Sequence, residues 1–262
     1  MRKLLKRAIE GIAGRAGLVV VPAWRFDAHP QETYLRRVIE SFGVDLVLDV
    51  GANGGQYSSF LRHAVGFRGW IAAYEPDPEI AARAEAAFAA DPKWTMTRCA
   101  LGPAAGEATF NIMAGRELNS FLTPTSAATE RYSAINRVER SITVEVRTVA
   151  AEVARLMAAH GCTRPYLKLD TQGYDLEVLA GAGEALRHLV GVQTEMSVIP
   201  IYDGMPDMVA SIARLRAAGF ELSAMFPVSS GHFPLLIEVD GHFMRNDLME
   251  PMRRNVLAPA SR

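Results

Sequence analysis

VLDVGANGGQYSSF, residues 47–60, decides the fold of this chain of 262 residues. The apolar run over 46–50 predicts a strand that is buried on both faces. The three glycines of GANGG (51–55) predict a tight turn in which the backbone can approach a ligand without a Cβ in the way. A helix over 56–64 is expected to follow. A strand, a glycine turn and a helix in this order are typical of nucleotide-binding α/β sheets.

A second predicted strand, at 70–74, ends immediately before Glu75. A carboxylate at this strand end is suited to accept hydrogen bonds from both hydroxyls of a ribose. The dinucleotide fingerprint G-x-G-x-x-G is incomplete, because alignment on Gly51 puts Asn53 and Gln56 in its second and third glycine places. No Gly-Lys-Ser/Thr sequence follows, which excludes a P-loop for triphosphates. The pattern therefore favours a cofactor with an adenosine ribose but no phosphate.

Strands and helices alternate along most of the chain. The predicted helices lie at 31–42, 56–64, 78–91, 150–161, 175–189 and 205–220. The predicted strands lie at 46–50, 70–74, 94–101, 107–113, 142–149, 166–170, 190–196, 221–226 and 234–245. This alternation predicts an α/β fold with a Rossmann-like, doubly wound, mostly parallel sheet. The last two strands are expected to form a C-terminal antiparallel pair.

In doubly wound sheets, ligands bind beyond the carboxyl ends of the strands. S-adenosylmethionine is the common cofactor that fits the glycine turn, and we expect Asp49 to receive its ammonium. Lys168 and Asp170 alternate on one face of their strand, where an ion pair could join them. The residues expected to bind the cofactor are Asp49, Gly51, Ala52, Asn53, Gly54, Gln56, Tyr57, Glu75, Pro76, Ala100, Leu101 and Asp170.

Composition and charge restrict the class of protein. Hydrophobic residues make up 49% of the chain and charged residues 22%, as in ordinary soluble globular proteins. The formal net charge of −1 gives no electrostatic bias toward nucleic acid, so we expect no nucleic-acid partner. Cys99 and Cys162 have no metal-binding or CxxC spacing. They are expected to be free, buried thiols, which favours a cytoplasmic location.

The first 25 residues are basic and have apolar residues at helical spacing, which predicts a short amphipathic helix. The segment lacks the apolar core and cleavage site of a signal peptide, and the chain has no long apolar run for a membrane span. The helix could rest peripherally on an anionic membrane, dock on a complex, or pack on its own domain or a second subunit as a homo-oligomer. We therefore divide the chain into a basic N-terminal helical extension (1–43), the main domain (44–250) and a C-terminal tail (251–262).

Three blocks of sequence resemble the FkbM family of S-adenosylmethionine-dependent methyltransferases. They are VLDVGANGGQYSSF, YLKLDTQGYDLEVLAG (166–181) and VQTEMSVIPIYDGMP (192–206). The middle block matches the family signature K-x-D-x-x-G-x-E/D-x-E-V-L-x-G from Lys168 to Gly181. The resemblance implies the class I methyltransferase fold. It also implies O-methylation of a hydroxyl group on a sugar, a glycolipid or a polyketide-type natural product as the acceptor.

An alcohol acceptor must lose its proton during methyl transfer, which requires a nearby base. Asp170 and Glu195, at the ends of adjacent predicted strands, are the best placed candidates, with His232 in the loop 227–234 behind them. In an alternative arrangement, Asp170 and Glu195 hold Mg²⁺ through oxygen ligands.

The segment 116–137 interrupts the alternation of strands and helices and is predicted to lie over the mouth of the cofactor site as a lid or an acceptor-binding loop. The residues expected to contact the acceptor are Asn119, Ser120, Gln172, Ser197 and Tyr202.

Two alternatives to an O-methyltransferase are kept. An NAD-dependent oxidoreductase of the Rossmann type is disfavoured by the incomplete glycine fingerprint. The second alternative is a catalytically inactive nucleoside-binding module. The presence of Asp170 together with Asp49 and Glu75 argues against it. A nucleic-acid methyltransferase is disfavoured because the chain shows neither a basic track nor an Asn/Asp-Pro-Pro-Tyr/Phe sequence.

Overall fold

The computed structural model describes residue 13 and residues 15–125, 134–228 and 234–257. The described strands are β1 (Leu46–Val50), β2 (Trp70–Tyr74), β3 (Trp94–Thr97), β4 (Ala100–Leu101), β5 (Gly106–Met113), β6 (Val138–Arg147), β7 (Pro165–Leu169), β8 (Gly191–Ser197), β9 (Phe220–Pro227) and β10 (Glu238–Arg245). The α-helices are α1 (His29–Phe42), α2 (Gln56–Phe60), α3 (Pro78–Phe88), α4 (Val149–His160), α5 (Asp175–Ala180), α6 (Met208–Ala217) and α7 (Asn246–Leu257).

The central sheet has seven strands in the order β3-β2-β1-β7-β8-β10-β9. Five strands run parallel to one another, namely β3, β2, β1, β7 and β8. Strand β10 runs antiparallel to both of its neighbours, β8 and β9. The strand order reverses beside β1, which is the switch point where ligands bind in such sheets. This architecture confirms the predicted Rossmann-like fold with an antiparallel pair at its C-terminal end.

Both faces of the sheet are covered, as the apolar run in β1 requires. Leu46 and Leu48 pack with Val153 of α4 in one buried cluster, whereas Val47 packs with Leu35 of α1 in another. Alternate residues of a strand point to opposite faces, so β1 contributes to both clusters. Cys99 and Cys162 are buried and free, as predicted.

The prediction of one strand over 94–101 was wrong. The strand is interrupted at Arg98 and Cys99. Strand β3 belongs to the central sheet, whereas β4 joins a second, three-stranded sheet in the order β4-β6-β5. Two predicted helices are also shorter than expected. The helix over 56–64 continues from α2 as a π-helical turn (Leu61–Val65), and the helix over 175–189 continues from α5 as a 3₁₀ segment (Gly183–His188).

The helix starts follow local rules. Asp77 accepts hydrogen bonds from the backbone N–H groups of Glu79 and Ile80, and Pro78 occupies the first turn of α3 as predicted. Thr148 caps α4 by accepting a hydrogen bond from the N–H of Ala151.

Gly51 is required by the fold itself. Its φ is +73°, and a Cβ there would lie 1.8 Å from the backbone oxygen of Asp170. Glycine is therefore needed because β1 and β7 approach each other closely where both end. Gly55 is similar, since a Cβ there would lie 2.6 Å from the ring of Phe88.

Most of the predicted N-terminal amphipathic helix lies outside the described residues, because residues 1–12 and 14 are not among them. Helix α7 crosses the expected boundary between the main domain, which was predicted to end at residue 250, and the C-terminal tail. In the part of the chain that the structure describes, no helix combines the length and the apolar character of a membrane span.

Candidate functional site

A cavity of about 590 Å³ opens at the carboxyl ends of β1, β2, β7 and β8. Strand β10 is antiparallel, so its first residues lie at the same edge. Helix α1 and the segment 116–121 form the remaining walls through Gln31, Phe121 and neighbouring residues. The volume is in the usual range for small-molecule sites. The cavity therefore lies at the carboxyl ends of the strands, where the sequence predicted a ligand to bind.

At one end of the cavity, Glu75 is held in place by the backbone. Its Oε2 accepts a hydrogen bond from the N–H of Asn53 at 2.9 Å, and its Oε1 accepts one from the N–H of Asp77 at 2.9 Å. The side chain is only 5% exposed. Burial raises its pKa to about 7, although the two backbone donors act in the opposite direction. Each oxygen keeps a second acceptor position for a ligand.

The glycine turn shapes the wall beside Glu75. Asn53 adopts a left-handed φ of +47°, and its Oδ1 accepts a hydrogen bond from the N–H of Gly54 at 2.6 Å. Phe110 and Phe121 pack edge to face and provide an apolar surface at this end. Most of the predicted cofactor residues line the cavity: Gly51, Ala52, Asn53, Gln56, Tyr57, Glu75, Pro76, Ala100, Leu101 and Asp170.

Asp49 lies beneath the cavity and pairs with the protein itself. The Nζ of Lys168 is 3.2 Å from Asp49 Oδ1 and 3.3 Å from Asp170 Oδ2. The hydroxyl of Ser58 donates to Asp49 Oδ2 at 2.9 Å. Burial acts to lower the pKa of Lys168, but the two carboxylates raise it above its usual value. Asp49 was predicted to bind the ammonium of the cofactor, but its partner in the structure is the ammonium of Lys168. The predicted ion pair between Lys168 and Asp170 is confirmed.

The other end of the cavity is acidic. Glu195 and Asp240 are directly paired across β8 and β10, and Glu238 lies two residues before Asp240 on the same face. Burial, followed by repulsion from Asp170 and other acids, raises the pKa of Glu195 well above its usual value and that of Glu238 to about 7. Burial also raises the pKa of Asp240. Glu238 can therefore accept or release a proton near neutral pH, and Glu195 and Asp240 hold a proton more strongly than ordinary carboxyl groups do.

Neutral amides surround these acids. Gln172 Nε2 lies 3.2 Å from Asp170 Oδ1 and 3.0 Å from Glu195 Oε2. Gln31 donates to Asp240 Oδ2 at 2.7 Å, and Gln193 Oε1 accepts a hydrogen bond from the hydroxyl of Tyr57 at 2.6 Å. Of the described cations, Lys168 and Arg116 line the cavity. Arg116 is paired with Asp77 and Glu79 at the Glu75 end, so it does not neutralise the acids.

Several predicted residues lie behind the wall rather than on it. Ser120 is buried and donates to the backbone oxygen of Gln172, and the hydroxyl of Tyr202 donates to that of Leu118. The hydroxyl of Ser197 is buried without a hydrogen-bond partner among the described residues. The residues that were expected to touch a ligand but do not line the cavity are Asp49, Gly54, Ser120, Ser197 and Tyr202.

The predicted lid is described only in part. Asn119 lines the cavity, but its Oδ1 already accepts a hydrogen bond from the N–H of Met113 at 2.8 Å. Residues 126–133 of the segment lie outside the described residues, and so does His232. Closure over the cavity and a role for His232 therefore stay predictions.

Four residues that line the cavity were not predicted from the sequence: Gln31, Gln193, Glu238 and Asp240. A signal existed for the two acids, because E-V-D in the strand 234–245 puts both on one face with an apolar residue between them. Gln31 could not be found this way, since only packing brings α1 to the cavity.

Among the described residues, no group of three or more His, Cys, Asp and Glu side chains is arranged to hold a metal ion. The alternative in which Asp170 and Glu195 hold Mg²⁺ gains no support from this geometry.

The fold and the site together define a class I methyltransferase. A family model described as the methyltransferase FkbM domain matches residues 49–222, which is most of the chain. The chain belongs to the FkbM methyltransferase family. This membership gives no support to the alternative of an NAD-dependent oxidoreductase. None of the curated proteins matches the chain.

Solved structures with a similar fold include an FkbM methyltransferase from Methylobacillus flagellatus KT, at 14% identity and a TM-score of 0.48. That match covers 76% of this chain but 43% of the other, so this chain spans less than half of that protein's length. Magnesium protoporphyrin IX methyltransferase from Synechocystis PCC 6803, solved with bound S-adenosylmethionine, has 10% identity and a TM-score of 0.45 over 84% of this chain and 81% of its own. Aeropyrum pernix fibrillarin has 13% identity and a TM-score of 0.42 over 82% and 76%.

Replacing Lys168 with Met should destabilise the fold by about 3–5 kcal/mol, because two carboxylates would lose their shared buried cation. Urea unfolding at pH 7 measures the change. Lys93→Met, at an exposed lysine, is the control and should cost less than about 0.5 kcal/mol. Equal effects of the two substitutions would contradict the role of Lys168.

Proposed function

We propose that this protein is an S-adenosylmethionine-dependent O-methyltransferase that acts on a hydroxyl of a sugar, a glycolipid or a polyketide-type natural product. One observation carries the proposal. A single cavity joins a buried carboxylate suited to a ribose, Glu75, to a second group of carboxylates that includes Asp170 and Glu195. A nucleoside cofactor and a proton-releasing acceptor can therefore lie side by side.

The residues present fit the proposed cofactor. Glu75 presents two oxygens that each retain an acceptor position, which suits the two ribose hydroxyls. Phe110, Phe121 and Leu101 offer an apolar surface for an adenine ring. Asp170 stands between the two ends of the cavity and could accept a hydrogen bond from the ammonium of the cofactor. Bound S-adenosylmethionine supplies an electrophilic methyl group on a sulfonium, which leaves as a thioether after transfer.

The acidic end provides the base that an alcohol needs. A carboxylate takes the proton of the hydroxyl as the oxygen forms its bond to the methyl carbon, and the carbon–sulfur bond breaks with its electron pair on sulfur. Glu195 is the best placed group, because Gln172 bridges it to Asp170 and its raised pKa makes it a stronger base than an ordinary carboxylate. Glu238, with a pKa of about 7, is a further proton acceptor on the wall.

Charge supports a neutral acceptor. Asp170, Glu195, Glu238 and Asp240 line this end, and the described cation beside them, Lys168, is already shared with Asp49. An acceptor that carries a phosphate or carboxylate here would face uncompensated repulsion. Sugar hydroxyls suit the amides and carboxylates of the wall, which can donate and accept hydrogen bonds.

The sequence also predicts a cytoplasmic enzyme without a nucleic-acid partner. Its N-terminal helix is proposed to contact a membrane surface, a complex or a second subunit. These proposals rest on composition and charge, because residues 1–12 and 14 are outside the described part of the chain.

Cofactor affinity should rise about tenfold between pH 6 and pH 8, as Glu75 ionises around its pKa of about 7 and becomes a full acceptor for the ribose. Isothermal titration with S-adenosylmethionine measures this. Glu75→Gln should weaken binding by about 1.5–3 kcal/mol at pH 8 and remove the pH dependence. A variant that binds as tightly as the wild type would disprove the ribose contact.

Methyl transfer itself decides between an enzyme and an inactive nucleoside-binding module. The purified protein should transfer labelled methyl groups from S-adenosylmethionine to members of a panel of deoxysugar-bearing acceptors. Glu195→Gln should lower kcat by about 10²–10⁴, because the isosteric amide cannot take the proton. Its dissociation constant for S-adenosylmethionine should not change, since Glu195 lies at the other end from Glu75. Full activity of Glu195→Gln would remove it as the base.

Acceptor charge gives a separate expectation. Of two acceptors that differ only in a carboxylate beside the reacting hydroxyl, the neutral one should have at least about tenfold higher kcat/KM. Glu238→Gln removes one negative charge from the wall and should narrow that ratio. Equal use of both acceptors by the wild type would show that the acids do not face the acceptor.

A further inference from the structure

We propose that Gln172 is a positioning residue that fixes the side chains of Asp170 and Glu195 relative to each other where the two ends of the cavity meet. The proposal rests on the proposed function and assigns Gln172 a purpose other than the acceptor contact expected from the sequence. It concerns which group orients the base, not which group takes the proton.

The hydrogen-bonding capacity of the amide carries the inference. Gln172 Nε2 is within 3.2 Å of Asp170 Oδ1 and 3.0 Å of Glu195 Oε2. A primary amide nitrogen has two N–H donors, so both are used by the two carboxylates. The opposite orientation of the amide would set its oxygen against two acids and is unfavourable. No donor of Gln172 is therefore left for an acceptor.

The backbone aims this amide at the carboxylates. Gln172 has a left-handed φ of +51°, which is costly for a residue other than glycine, and Gly173 follows at +89°. The hydroxyl of Ser120 donates to the backbone oxygen of Gln172 at 2.8 Å. A Cβ on Gly173 would lie 2.9 Å from both Leu122 and Met205, so the segment around Ser120 packs tightly on this turn.

The turn has anchors that do not involve the amide. Asp175 Oδ1 accepts a hydrogen bond from the N–H of Thr171 at 2.7 Å, and its Oδ2 accepts one from the hydroxyl of Thr194 at 2.6 Å. The conformation of the turn should therefore survive the loss of the Gln172 side-chain amide. Substitution at this position changes the carboxylates without unfolding the loop.

Two consequences follow from the contacts. Hydrogen bonds donated to a carboxylate favour its ionised form, so loss of the amide should raise the pKa of Glu195 further. The two carboxylates should also rotate more freely, which lowers the fraction of molecules with the base correctly aimed. The ionisable groups that raise the pKa of Glu195 from the surrounding elements are Asp170, Asp175, Glu238 and Asp240, and Lys168 is paired with Asp170 beside them.

The test is a titration of Glu195 in the purified full chain, with no acceptor needed. Carbon-13 NMR of protein labelled at the glutamate carboxyl carbon follows each group, and Glu195→Gln identifies the signal of Glu195. Gln172→Met keeps the length of the side chain but removes both donors, and it should raise the titration midpoint by about one pH unit. Gln56→Met makes the same chemical change elsewhere on the wall, after the glycine turn, and should leave the midpoint within about 0.2 units.

An unchanged midpoint in Gln172→Met, or the same shift in Gln56→Met, would overturn the proposal. If Gln172→Met does not fold, as judged by thermal unfolding, Gln172→Asn replaces it. That variant tolerates a left-handed φ but is too short to bridge both acids, and the midpoint should again rise.

Turnover separates positioning from direct binding. With an acceptor in hand, Gln172→Met should lower kcat about tenfold or more, move the acidic limb of the pH profile upward and leave the acceptor KM within about twofold. A raised KM with an unchanged kcat would instead indicate a direct contact and overturn the proposal. Absence of methyl transfer by the wild-type protein would refute the proposed function, while the titration would still decide the role of Gln172.

Discussion

The site depends on one buried ammonium group. Lys168 lies directly opposite Asp49 in the register of β7 and β1, at the centre of the sheet, and it also reaches Asp170 at the strand end. A buried carboxylate without a partner is costly, and so is a buried lysine, so the three groups fix one another's positions. Because Lys168 holds Asp170 in this way, the end of β7 keeps a charged group at the cavity.

The same register extends the polar row across the sheet. Lys168 is opposite Gln193, and Gln193 is opposite His242. The ring of His242 contacts the hydroxyl of Tyr166 at 2.9 Å and the amide of Gln31 at 3.2 Å, while burial lowers its pKa to about 3. His242 is thus a neutral support for the wall at physiological pH. A row of hydrogen-bonded polar groups under the cavity gives its acidic end a rigid floor, which a preorganised site requires.

Much of the fold could be predicted from the sequence because burial leaves a local pattern. The strands at 46–50 and 70–74 were predicted to the residue, since apolar runs bounded by glycine or proline mark buried strands. The place of Glu75 in the cavity could be predicted, because it follows β2 and the carboxyl ends of parallel strands lie at the same edge of the sheet. The partner of Asp49 was not, since an acid at a strand end looks the same whether a ligand or a distant lysine neutralises it. The contribution of Gln31 required the packing of α1, which no local pattern records.

The two ends of the cavity use buried acids in opposite ways. Glu75 has backbone N–H donors on both oxygens, so its position is fixed before any ligand arrives. Glu195, Glu238 and Asp240 repel one another, and neutral amides restrain Glu195 and Asp240, so the charge of the three acids depends on what enters the cavity. Fixed acceptors suit recognition of a constant cofactor, whereas acids whose ionisation responds to their surroundings suit removal of a proton. The difference follows from the sheet: the turns after the parallel strands β1 and β2 supply the backbone donors, and the antiparallel β10 adds Glu238 and Asp240 beside the acids at the ends of β7 and β8.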